Sequence, residues 1–86
     1  MRHARDQDLD RIETLLAELR TVPGLVEKKR GVFYRKSKAF LHFHEDPLGL
    51  FADLGGDLSA ADQRFDVTQS GGRESLLAAV RRRLAS

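Results

Sequence analysis

The chain has no cysteine and no tryptophan among its 86 residues, only two prolines, and no long apolar run. Without cysteine there is no disulfide framework, no thiol nucleophile and no thiolate metal site, which fits a reducing compartment. No segment approaches the length of a membrane span, and the opening "MRHARDQDLD" is too polar for a secretory leader. The expectation is a cytoplasmic protein with no membrane partner. No serine stands in a nucleophile elbow, and no Walker lysine follows Gly71 and Gly72. Neither a catalytic site nor a cofactor is expected.

What is present suits one small globular domain spanning residues 1–86, with 41% hydrophobic and 33% charged residues. Arginine is frequent and lysine scarce, and alanine, leucine and glycine are common, a composition that fits a GC-rich bacterial gene. Leu9, Ile12, Leu15, Leu16 and Leu19 recur at helical spacing and predict a helix from about Asp6 to Arg20, ended by Pro23 and Gly24. From Val26 to Leu54 the pattern shifts to short aromatic and branched segments, "GVFY", "AFLHFH" and "LFADL", which read as strands. "RFDVT" reads as a fourth strand, and "SGGRESLLAAVRRRLAS" as a second helix with a Leu76, Leu77, Val80 and Leu84 stripe. The "GGDLSAADQ" segment reads as a loop, with room for one turn capped by Ser59 and Asp62. The predicted fold class is α+β: two layers, an antiparallel three- to four-stranded sheet flanked by an N-terminal and a C-terminal helix.

Register decides which side chains share a face. With Lys36 and Ser37 at the first turn and Pro47 and Leu48 at the second, Tyr34 falls opposite Ala39, Val32 opposite Leu41, Phe43 opposite Ala52, and Leu41 opposite Leu54. That apolar side is expected to face the helices. Phe33, Arg35, Phe40, His42, His44, Phe51 and Asp53 then fall together on the outer side. Three phenylalanines on an outward face are more apolar surface than a lone monomer exposes. Phe33, Phe40 and Phe51 with a rim of His42, His44 and Asp53 have the layout of an interface, and a homodimer is the expected assembly.

Two other surfaces compete. Lys28, Lys29, Arg30, Arg35, Lys36 and Lys38 form an acid-free stretch beside Phe33, Tyr34 and Phe40. Cations that neutralise phosphates, next to rings on which bases stack, are the ingredients of a nucleic-acid surface. The alternative reading is therefore a nucleic-acid-binding module with a basic β-hairpin. His42 and His44 lie two apart on one strand, with Asp53 opposite His42, and two nitrogens with one oxygen can hold zinc. No fourth donor is evident and His3 stands near the chain start, so a cross-strand histidine–carboxylate pair is expected rather than a metal site.

The stretch "VPGLVEKKRGVFYRKSKAFLHFHEDPLGLFADL", followed by "FDVTQSGGRESLLAAVRRRL", resembles small conserved bacterial proteins of unknown function. Its order of parts is also similar to that of the MmcQ/YjbR-like proteins: a helix, a "PGLVE" turn, a "KAF" strand and a final helix. That likeness implies no catalytic residue. It adds slightly to the nucleic-acid reading, since some of those proteins are described as DNA-binding.

Overall fold

The computed structural model describes residues 2–55 and 63–85. The turn expected at Ser59 and Asp62 lies outside them. The chain runs through strand β1 (Arg2–His3), helices α1 (Asp6–Asp10) and α2 (Glu13–Arg20), and strand β2 (Val26–Lys29). Strands β3 (Val32–Arg35), β4 (Lys38–Asp46), β5 (Gly49–Leu54) and β6 (Gln63–Asp66) follow, and helix α3 (Ser70–Ala85) ends it. The fold is α+β: one open antiparallel sheet with helices from both ends of the chain. Its strand order is β2-β3-β4-β5-β6, with β1 attached to β4. No helix among the described residues is long and apolar enough to cross a membrane.

The expected first helix is two pieces. Arg11 closes α1 and Ile12 leaves helical geometry before α2 begins. With that bend, Leu9 lies against Gly31 at the β2–β3 turn, while Ile12, Leu15, Leu16 and Leu19 remain buried. Two strands beyond the expected count complete the sheet. β2 is short, charged and bulged between Glu27 and Lys29, which are devices that keep an edge strand from pairing with another chain. β1 is possible because β4 outruns β3. The β3 ladder covers β4 only from Lys38 to His42, so Arg2 and His3 pair with Glu45 and His44 along the same edge.

Both turns sit where the sequence places them. Lys36 and Ser37 each adopt positive φ, the geometry of a tight two-residue hairpin turn. Asp46 pairs with Gly49 across Pro47 and Leu48, and the β4–β5 register sets Leu41 opposite Leu54 and Phe43 opposite Ala52, as predicted.

The β3–β4 register differs by one residue beyond Tyr34. Tyr34 pairs with Ala39, but Phe33 pairs with Leu41 and Val32 with His42, leaving Phe40 as an extra residue. Such a bulge reverses which side chains point inward on the far side of it. Phe33 therefore stands inside, fully buried at 0% exposure, and Val32 and Tyr34 are half-exposed. Phe40 joins the core at 8% exposure. These two corrections take Phe33 and Phe40 off the expected interface face. The core then consists of Phe33, Leu41, Phe43, Leu50, Ala52 and Leu54 from the sheet, closed by leucines of α2 and by Leu76, Leu77 and Val80 of α3.

Candidate functional site

With Phe33 gone inward, the outer face has a different centre. Alternation along β4 and β5 puts His42, His44, Phe51 and Asp53 on the side away from the core. His42 faces Asp53 across the ladder, and His44 faces Phe51. β6 adds Arg64 opposite Asp53. β1 adds His3 opposite His44. Three imidazoles and one carboxylate thus converge from three strands.

Contacts within the group are close. The His3 and His44 rings stack at 5.4 Å between centroids, and His42 meets His44 edge-on at 5.7 Å and His3 at 6.2 Å. His44 Nε2 lies 3.0 Å from Asp53 Oδ2. Arg64 clamps the same carboxylate from the other side, with Nε donating to Oδ1 at 2.7 Å and an Nη donating to Oδ2 at 3.1 Å. Asp53 is only 7% exposed although it sits on the outer face. A carboxylate withdrawn from water this far needs partners, and the Arg64 guanidinium and the His44 ring nitrogen supply them.

His42 is the least satisfied member. Its Nδ1 is shielded from solvent and has no protein hydrogen-bond partner. Burial, and then the neighbouring His44, hold its imidazole below the ordinary histidine range, so it is a neutral ring at neutral pH. In the other direction, Asp53 raises the pKa of Arg64. One donor atom from each of His42, His44 and Asp53 lies within 4.8 Å of the others, a grouping able to take a cation. The sequence groups these three, sets His3 aside for its place near the chain start, and does not reach Arg64. Both depend on strand pairings that no local pattern announces.

The six-residue basic stretch does not stay together. Arg30 is claimed by the helices: it bonds Asp10 at 2.9 Å and Glu13 at 2.7 Å, and reaches Asp6 at 3.4 Å. Lys28 turns over the Tyr34 ring at 5.6 Å on the outer face. Lys29 lines a small hollow of about 100 Å³ near His3 and Gly31. Only Arg35, Lys36 and Lys38 gather, and they do so on the helix side of the hairpin. There they share a cleft of about 350 Å³ with Phe40, Gly55 and Arg83 of α3, and the Arg35 guanidinium lies over the Phe40 ring at 6.0 Å. Arg83 is the member that sequence reasoning leaves out.

No protein-family model, no curated protein and no solved structure matches this chain.

Proposed function

We propose that this chain is a non-enzymatic interaction module that pairs with a second copy of itself through the open face of its sheet. The observation that carries this reading is the composition of that face. Half-buried Val32, Tyr34 and Phe51, with Val26 at 55% exposure, share that face with His42, His44 and a buried Asp53. Apolar side chains left on the open face of a sheet mark a recognition surface, whereas a solvated sheet face carries hydrated polar groups at alternate positions. Self-association would also stabilise a fold of this size. Light scattering on a sizing column is expected to give twice the 9.7 kDa chain mass. Phe51→Glu and Tyr34→Glu are expected to return the chain to a folded monomer. A wild type that stays monomeric at every concentration removes the reading.

A second reading has its own observation, the cleft that brings Arg35, Lys36 and Lys38 together with Arg83 and Phe40. Three hairpin cations gathered with Arg83 around one cleft suit the phosphates of a nucleic acid. Binding to a single-stranded oligonucleotide is expected to weaken with salt. Lys36→Gln with Lys38→Gln is expected to lower the salt slope by about one per lysine. If no salt-sensitive binding exists in the wild type, this reading fails.

A further inference from the structure

We infer that the outer-face cluster is a binding site for a divalent transition metal of the zinc type, with His42, His44 and Asp53 as ligands and His3 as the fourth donor. The inference goes beyond pairing through that face, because all four donors come from one chain and no second copy is needed to assemble them.

Donor geometry is the first support. In a tetrahedral zinc site with bonds of about 2.0–2.1 Å, neighbouring donors lie roughly 3.3 Å apart. His44 Nε2 and Asp53 Oδ2 already stand at 3.0 Å, and a donor of His42 lies within 4.8 Å of donors from both. His3 stacks on His44 and meets His42 edge-on at 6.2 Å between centroids; its nitrogens lie outside the 4.8 Å group, so it joins as fourth donor by turning its ring inward. Coordination through Nε2 requires a neutral His44 ring with its proton on Nδ1.

Support from surrounding groups is the second observation. Metal-binding carboxylates are themselves held by outer hydrogen bonds that fix their direction. Arg64 does this here: its Nε bonds Asp53 Oδ1 at 2.7 Å and an Nη bonds Oδ2 at 3.1 Å, which fixes the carboxylate with Oδ2 also 3.0 Å from His44 Nε2. Val32 and Phe51, cross-strand neighbours of His42 and His44, limit water around the donors. His42 Nδ1, with no protein partner, is a lone buried donor or acceptor that a metal or its bound water would satisfy. Three imidazole nitrogens with one carboxylate oxygen favour zinc, nickel, copper or cobalt(II) over magnesium or calcium, which prefer all-oxygen shells.

The test uses untagged full-length chain stripped with chelator, so that no added histidines compete. Calorimetric titration with zinc is expected to give one site per chain, with magnesium and calcium silent at the same concentrations. Cobalt(II) is expected to give the visible absorption of a four-coordinate ion. His42→Ala, His44→Ala and Asp53→Asn are each expected to weaken zinc binding at least tenfold, and Arg64→Gln about 10- to 100-fold through the loosened carboxylate. Lys36→Gln, in the basic cleft, is expected to leave binding unchanged. Circular dichroism on each variant shows whether it folds. His3→Ala lies at the chain start and keeps the test open if the β4 and β5 variants do not fold. Zinc binding that survives His42→Ala and His44→Ala in folded chains, or no zinc binding in the wild type, overturns the inference. Light scattering separates it from self-association: a monomer that binds zinc removes the dimer and leaves the metal site, and a dimer that binds none does the reverse.

Discussion

Phe33→Ala is expected to cost about 3–5 kcal/mol of unfolding free energy, the usual range for truncating a fully buried phenylalanine. Globular chains are stable by about 0.05–0.15 kcal/mol per residue, so this loss is a large part of what a domain this small possesses. The neighbouring Val32→Ala is expected to cost about 1 kcal/mol or less, since Val32 is half-exposed on the outer face. The contrast follows from the bulge alone. In an unbulged hairpin Val32 would occupy the core and Phe33 the surface, and the order of the two costs would be reversed. Urea titration reads both, with the midpoint moving and the slope preserved in each case. Phe40→Asp, a natural choice for breaking an aromatic interface, is expected to unfold the chain, because Phe40 belongs to the core.

The second large effect is a difference in sign between two adjacent glycines at the start of α3. A Cβ on Gly72 would stand 1.7 Å from the Asp66 carbonyl oxygen and 2.7 Å from its carbon. Those are backbone atoms of β6 and cannot rotate away, so Gly72→Ala requires α3 to retreat from the sheet edge. Its expected cost is about 1–3 kcal/mol or more, the range for overpacking a close contact. A Cβ on Gly71 meets nothing within 4 Å. Gly71→Ala is expected to stabilise the helix by about 0.5–1 kcal/mol, because alanine gives up less backbone freedom than glycine. Thermal melts of the two variants should move in opposite directions. Equal shifts would mean that α3 does not approach β6 as closely as described.

Much of the fold was legible in the sequence, for physical reasons that are local. Helical spacing of Leu9, Ile12, Leu15, Leu16 and Leu19 does not depend on tertiary context, and neither do the turn residues at Lys36, Ser37, Pro47 and Leu48. The β4–β5 register follows directly from the second turn. The bulge is different. Its trace is the pair Phe40 and Leu41, two large apolar neighbours in a strand where alternation calls for one, and both are buried. Read as alternation alone, that pair sends Phe40 outward and Phe33 with it.

The site was legible only in part, because its parts come from separate strands. His42 and His44 share a face by strand period, and Asp53 follows from the β4–β5 register. Arg64 reaches Asp53 only through the β5–β6 pairing, with a partner eleven residues further along the chain. His3 arrives only because β4 extends past β3 and leaves an edge for β1. The fate of Arg30 did leave a signal: Asp6, Asp10 and Glu13 recur at helical spacing, an acidic stripe suited to a cation from a neighbouring turn.

The apolar part of the outer face depends on the bulge that puts Phe33 inside and Val32 beside His42, whereas the His42, His44 and Asp53 group rests on the β4–β5 register. Cross-strand proton contacts by nuclear magnetic resonance measure the bulge directly. The expected pattern is Val32 opposite His42 and Phe33 opposite Leu41, with the Phe33 ring in contact with the core leucines. A ladder with Val32 opposite Leu41, and a Phe33 ring touching His42 instead, would contradict it and return the outer face to its phenylalanines.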